Sequence, residues 1–377
     1  MSALTDLYAL YPDEYIMTAK DIRKVLIAGG ITPPPITDSF NEWETNNLKL
    51  ILDDCAEFNG LQLGSFNYDD QFTINNIKYL MSGITAASMR FTVNEDFTGF
   101  VMSNEGDDVE ISWGDGTVET FEGGTNVLYE HEYAVAGTYT VVVVATDDIT
   151  ELEINDDTVS TAANSVISLD LLPATLEYFD VSYHNTLVSA DFAGLSALLT
   201  FYFHHNTAFN QLSDFSDLTA VTDFAFNNNT AYNKATNLSG LSDIETFVFT
   251  NNTSFNAALT LTGMTGVISA AIFGNTALNT AVVLTPMTAV EELSFYGNTA
   301  YAQTLSIAGM AAKPDIDFTD CKLSVATVNA LLAQAVVLNY TSGTIALEDQ
   351  TPAAAPTGQG ATDKAALILA GANVTTD

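Results

Sequence analysis

The sequence predicts a mainly β protein: a small helical N-terminal region, then a β-sandwich, then a β-solenoid with a C-terminal α/β cap. Three observations carry this expectation. Residues 40–58 have apolar side chains at helical spacing, residues 89–150 alternate apolar and polar side chains between turn signals, and from Asn206 onward an asparagine returns every 23 residues.

Composition bounds the class. The chain has 377 residues, 47% of them hydrophobic, enough for a sizeable core and two or three domains. Against 47 Asp and Glu stand 10 Lys and Arg, a formal net charge of −37. Such a surface repels phosphate backbones and anionic lipid heads, so nucleic acid and membrane surfaces are set aside as partners. Cys55 and Cys321 are the only cysteines and lie far apart, so no disulfide framework is expected. The opening "MSALTDLYALYPDEY" lacks a basic segment and a long apolar run, and no stretch reaches the roughly 20 apolar residues of a membrane span.

Residues 1–88 read as helices joined by turns. Thr18 and Asp21 make a capping box ahead of "KDIRKVLIAGG", which Gly29 and Gly30 close before "TPPP". Trp43, Leu48, Ile51, Leu52 and Cys55 mark a second helix over 40–58, and "INNIKYLMSG" (74–83) a third. The expected role is attachment of the chain to something larger.

Residues 89–150 change to the period of strands, with "GDG" and "AG" as turns. Here Trp113-Gly114-Asp115-Gly116-Thr117 is followed by His131-Glu132-Tyr133 and then by Gly137-Thr138-Tyr139-Thr140-Val141. The three parts, in this order over roughly 60 residues, resemble the PKD-type immunoglobulin-like module. The resemblance implies an Ig-like β-sandwich in which Trp113 fills the space between two sheets, Asp115 and Gly116 close a turn, and His131, Tyr133 and Tyr139 belong to the same motif. Asp115 and His131 imitate a catalytic pair, but no nucleophile accompanies them at a recognisable spacing.

Over residues 151–323 the anchors are Asn206, Asn229, Asn252, Asn275 and Asn298, with Cys321 in the same frame. Phe203, Phe226, Phe249, Ile272, Phe295 and Phe318 stand three residues before them, and Leu195, Leu218, Leu241, Met264, Met287 and Met310 eleven before. His184 occupies the anchor position of an imperfect earlier turn. The pattern resembles the leucine-rich repeat with Phe in place of much of the Leu, and Cys at an Asn position is the substitution that family allows. A side-chain amide supplies donor and acceptor together, so stacked turns are expected to be stapled by an asparagine ladder. Asn210, Asn233, Asn256 and Asn279 suggest a second ladder. Residues 324–377 break the period with two helical patterns and are expected to cap the last apolar turn.

Positions two, four and six before each anchor face away from the core and form an open sheet surface. The candidate binding residues there are Tyr178, Tyr202, His204, Asp223, Asn227, Phe273 and Tyr296. Aromatics and carboxylates on one face suit a glycan or a protein, or contact with a neighbouring subunit. The histidines show no metal spacing, and His204 and His205, adjacent on a strand, are expected on opposite sides. Acidic pairs such as Asp107-Asp108 and Asp156-Asp157 lack the Ca²⁺-loop pattern and read as solvated turns. Neither a phosphate loop, a nucleophile elbow nor a zinc motif is present, so no catalytic residue, cofactor or metal is assigned and an enzyme is not expected.

A W-G-D-G module running straight into short repeats is similar to fibre, decoration and receptor-binding proteins of tailed bacteriophages, and also to surface proteins of Bacteroidetes-type bacteria. The resemblance implies a structural or adhesive virion protein, made in the host cytoplasm. Its N-terminal region would contact other virion proteins, and its solenoid would project towards a host glycan or surface receptor, as part of a homo-oligomer. A bacterial cell-surface adhesin is the alternative, and an accessory module of a glycan-processing enzyme a third.

Overall fold

A computed structural model of the chain describes residues 87–104, 108–145, 147–155, 165–310 and 313–377. The helices expected before residue 87 lie outside the described residues. Ala87–Asp377 forms one compact unit.

Alternation builds the first part of this unit. In β1 (Ala87–Asn94), β3 (Asp108–Ser112) and β6 (Thr138–Ala145) alternate apolar side chains are buried: Met89, Phe91 and Val93; Val109 and Ile111; Val141, Val143 and Ala145. These strands, edged by β4 (Val118–Glu122) and by β8 (Val166–Leu171), pair antiparallel in the order β8-β1-β6-β3-β4. A second sheet, β5-β2-β7, is formed by β5 (Val127–Glu130), β2 (Gly99–Asn104) and β7 (Ile149–Ile154). The two sheets meet through aromatic rings. Phe91 on β1 packs edge-to-face on Phe100 of β2 at 5.5 Å, and Phe100 touches Trp113 at 6.1 Å. Each such buried side chain contributes roughly 1.5–3 kcal/mol relative to exposure.

Strand β7 turns this sandwich into a solenoid. One of its edges pairs antiparallel with β2; the other pairs parallel with β9 (Tyr178–Val181), Leu152 opposite Phe179. From there the sheet continues with parallel strands β11 (Thr200–His204), β12 (Asp223–Asn227), β14 (Thr246–Val248), β16 (Ser269–Ala271), β17 (Glu292–Ser294) and β18 (Asp315–Asp317). On the other sheet, β10 (Ser189–Ala190) pairs with β8. Both sheets therefore run on across residue 150. The short β13 (Thr236–Asn237) and β15 (Leu259–Thr260) pair on the far side of the solenoid.

The register repeats the sequence period: Phe201 lies opposite Phe224, and Phe224 opposite Phe247. Identical residues thus stack. Phe201, Phe224 and Phe247 follow one another at 5.0 and 5.7 Å, and Phe203, Phe226 and Phe249 at 5.5 and 5.6 Å, beside the fully buried Leu195, Leu218, Leu241, Met264, Met287 and Met310. The seven turns from β9 to β18 share one continuous core.

The C-terminal segment is the expected α/β cap, and its strands lengthen the sheet. Helix α1 (Val325–Val337) leads into β19 (Thr344–Leu347), and α2 (Gln359–Ala370) into β20 (Asn373–Thr376). Ile316 pairs with Ile345, and Ile345 with Val374, so two larger turns carry a helix where the earlier ones carry a loop. Ser324 caps α1 by accepting the Thr327 N–H, and Gly371, with φ of 112°, ends α2 where a Cβ would lie 2.6 Å from the Thr341 carbonyl oxygen.

A fragment of residues 87–377 is expected to melt cooperatively. A fragment of residues 87–150 is expected not to fold, because it lacks most of β7 and the whole of β8, which cover β2 and β1. A cooperative thermal transition by circular dichroism in the shorter fragment would contradict this view of the joint.

Candidate functional site

The W-G-D-G segment is a structural turn. Trp113 is fully buried and donates its indole N–H to Glu119 at 2.7 Å. Asp115 Oδ1 accepts the Thr117 N–H at 2.8 Å, and its Oδ2 lies 2.9 Å from His131 Nε2. Burial alone would raise the Asp115 carboxyl, but these bonds and His131 outweigh it and hold the group below its usual range. Gly114 and Gly116 have φ of 84° and 97°, and a Cβ on Gly114 would lie 2.6 Å from the Thr140 carbonyl oxygen. His131 stacks on Trp113 at 4.8 Å and Tyr139 on Tyr133 at 4.0 Å, while the Tyr133 hydroxyl donates to the Trp113 carbonyl at 2.8 Å. The aspartate and histidine that imitate a catalytic pair are occupied in closing this turn.

The anchor asparagines are all fully buried. Each does two things for the turn before it. Asn229 accepts the N–H of Asn206 at 3.0 Å and donates to the Phe203 carbonyl at 2.9 Å; Asn252 does the same for Asn229 and Phe226, and Asn275 for Asn252 and Phe249. Asn206 serves His184 and Val181, and Asn298 serves Asn275 and Ile272. Cys321 is a buried free thiol, 3.4 Å from the Phe295 carbonyl. Burial pushes its pKa up to about 12, so it remains a protonated donor. The ladder then runs on where the 23-residue period has ended. Gln350 donates to the Phe318 carbonyl at 2.8 Å and accepts the Leu323 N–H, and Asp377 accepts the N–H groups of Gln350 and Ala354. The exposed asparagines form a second ladder of the opposite sense: Asn210, Asn233 and Asn256 accept N–H groups from Asn233, Asn256 and Asn279 of the following turns.

Sequence reading missed the residue before each anchor. Tyr183, His205, Asn228, Asn251, Gly274, Gly297, Asp320 and Asp349 all have φ between 49° and 69°, the left-handed region. Each turn needs this conformation to bring the next residue's side chain inward. Asn, Gly and Asp adopt it readily, and their recurrence in one column was the available signal. Tyr183 and His205 adopt it at a cost of roughly 1–2 kcal/mol each.

This conformation corrects the expected placement of the two adjacent histidines. The left-handed backbone at His205 breaks the strand alternation, so His204 Nδ1 and His205 Nδ1 lie 3.3 Å apart and His205 stacks on Tyr183 at 4.4 Å. Burial, with the neighbouring His204, holds the His205 pKa below its usual value.

The sheet brings the candidate binding residues together in two groups. Tyr178 and Tyr202 pack edge-to-face at 6.0 Å beside His204 on β11 and Asp223 and Asn227 on β12. Phe273 and Tyr296 stack at 4.4 Å three and four turns further along. Between Tyr178 and His204 lies Asp180, which accepts from Asn155 Nδ2 at 2.8 Å and from the Ser182 hydroxyl at 2.5 Å, with His204 Nε2 at 3.9 Å. Asp180 and Ser182 are buried, as is Thr250, although the strand period places all three on the open face. Burial first, then the neighbouring carboxylates, raises the pKa of Glu153, Tyr178 and Tyr202, so both tyrosines keep their hydroxyl protons. Among the described residues no group of three or more His, Cys, Asp and Glu could hold a metal ion, and no helix is long and apolar enough to cross a membrane.

No protein-family model matches the chain, and no curated protein matches it either.

Two predictions follow the ladder. Asn252→Ala strips partners from the Asn229 N–H and the Phe226 carbonyl, both in the buried stack, and is expected to cost on the order of 2–4 kcal/mol. Asn373→Ala, at an exposed strand start, is expected to leave the melting temperature unchanged. Equal denaturation midpoints for the two variants would contradict the ladder.

His184 holds an anchor position through Ile154 and is fully buried. Burial lowers its pKa to about 4, against a weaker opposing effect of the Ile154 carbonyl. The unfolded chain takes up a proton near pH 6.5 that the folded chain refuses until about pH 4. Stability is therefore full above pH 6.5 and falls as the pH drops, by about 2 kcal/mol at pH 5 from this group alone. In urea titrations His184→Asn should lose less stability between pH 7 and pH 5 than the parent; identical losses would contradict this role.

Proposed function

We propose that this chain is a non-enzymatic structural and adhesive protein of a tailed-phage virion, and that the open face of its sheet is its contact with a host glycan or surface receptor. The observation that carries the reading is the arrangement of rings on that face. Tyr178 with Tyr202, and Phe273 with Tyr296, pack in pairs that face away from the solenoid core, and side chains of this type on an open surface are those that dominate binding energies. A catalytic role is disfavoured by how the reactive groups are engaged. The Ser182 hydroxyl is buried and given to a carboxylate, and Asp115 and His131 close a turn.

The finer family reading rests on the residues around Trp113 and on the ladder. A tryptophan between two sheets, a W-G-D-G turn locked by His131 and the Tyr133–Tyr139 stack support a PKD-type immunoglobulin-like sandwich. Asn, Cys and Gln at one bridging position, with helix-bearing turns at the C-terminal end, support a leucine-rich-repeat-like solenoid. On this reading the sandwich is a spacer, residues before 87 contact other virion proteins, and the solenoid projects. The alternative, a bacterial surface adhesin, uses the same open face.

The test pairs location with binding. An antibody against the chain is expected to label purified phage particles. The double variant Tyr202→Ala/Tyr296→Ala is expected to reduce adsorption to cells with little change in melting temperature, because these side chains are only partly buried. If instead the variant alters oligomer mass and leaves adsorption intact, the face is a subunit interface. Labelling of cell envelopes without particles would select the adhesin.

A further inference from the structure

The open face is not evenly tall. The column two residues before each anchor reads His204, Asn227, Thr250, Phe273 and Tyr296 on successive neighbouring turns. In the column four before, the large Tyr202 on β11 is followed by Ala225, Val248 and Ala271. Rings thus stand on the turn of β11 at one end and on the turns of β16 and β17 at the other, and the two strands between carry short side chains. At the ~4.8 Å spacing of paired strands the bounding turns are about 14 Å apart, which leaves about 10 Å between ring surfaces, room for one or two pyranose rings.

Phe273 supplies the wall. Its ring and that of Tyr296 are nearly parallel, 13° apart, so their faces point along the solenoid axis. Tyr296 covers one face of Phe273; the other looks across the buried, short Thr250 into the depression. On the strand opposite, Asn227 Oδ1 is buried without a hydrogen bond, so the polar groups this strand offers at the surface are the Asn227 amide nitrogen and the Asp223 carboxylate. No Lys or Arg stands in either column, and the chain carries a net charge of −37, so an acidic occupant is repelled.

The geometry points to a saccharide subsite over β12 and β14: one or two uncharged pyranose rings, with an apolar ring face against Phe273 and hydroxyls that donate to the Asp223 carboxylate and accept from the Asn227 amide nitrogen. This rests on the reading of the open face as the binding surface and adds the class of ligand and its seat. An aromatic face opposite a few convergent polar groups is the composition of a small-ligand site, and a sugar ring offers the matching apolar face and hydroxyl rim.

The experiment applies the full chain to an array of immobilised neutral and acidic glycans. Binding to neutral glycans is expected. Phe273→Ala should weaken it about ten-fold, by loss of the stacking surface. Val248→Trp, which fills the floor from a partly exposed position, should abolish it, and Leu369→Ala, exposed on α2 and outside the open face, should leave it within about two-fold. Binding confined to acidic glycans, no glycan binding, or neutral binding indifferent to Phe273→Ala and Val248→Trp would overturn the subsite. Attachment to cells separates this failure from that of the wider reading. If no glycan is bound but the Tyr202→Ala/Tyr296→Ala variant loses attachment, the subsite falls and the binding face stands. If attachment is also unaffected, both fall.

Discussion

One contact sets the terms for the rest of this structure: a side-chain amide that reaches back one turn and satisfies an N–H and a C=O at once. A narrow turn buried between two neighbours has no water for its backbone, and an unpaired group there costs about 1–3 kcal/mol. Asn229, Asn252, Asn275 and Asn298 meet that need for the turns before them. The amide must arrive at the same height each time, so the chain between anchors keeps one length, and the preceding residue is forced into a left-handed conformation at every turn. The fixed period, the stacked phenylalanines and the Asn, Gly and Asp before the anchors are consequences of this one requirement.

Where the requirement relaxes, the chemistry changes and the bridge survives. Cys321 meets the Phe295 carbonyl as a weak thiol donor and the Asn298 N–H as a weak sulfur acceptor, and Gln350 offers the same amide on a stem one methylene longer, in a turn that carries a helix on its far side. His184 bridges with a ring in place of an amide and contacts the Ile154 carbonyl at 3.0 Å. Three different residue types meet one geometric demand at the two ends of the solenoid, where neighbouring turns differ from those in the middle.

The legible parts of the fold were those in which one physical period acts on many residues. The anchor and phenylalanine columns are visible because equivalent residues recur at equal spacing, and the strands around Trp113 because alternation and turn residues coincide. The joint at β7 was hidden, since a strand that pairs antiparallel on one edge and parallel on the other has no sequence mark of its own. The α/β make-up of the last segment was legible from its two helical patterns, but the pairing of β19 and β20 into the sheet was not, because a helix replaces the loop and the spacing of paired residues grows to that of Ile316 and Ile345. On the open face, alternation placed Tyr202 and His204 with Asp223 and Asn227, but it failed at His205, where the backbone leaves the strand conformation. The burial of Asp180 and Ser182 was beyond it too, because that depends on Asn155 from a neighbouring strand.

The change of pairing at β7 also has a mechanical meaning. Beads on a string bend at their linkers; here the sandwich and the solenoid share hydrogen-bonded strands on both sheets, so the joint has no hinge. From β7 to β20 the sheet advances nine strands, about 43 Å at the usual spacing. Over that arm a rotation of about 5° at the sandwich sweeps the far end through roughly 4 Å. The unit of residues 87–377 is a lever: whatever fixes the sandwich aims the far turns.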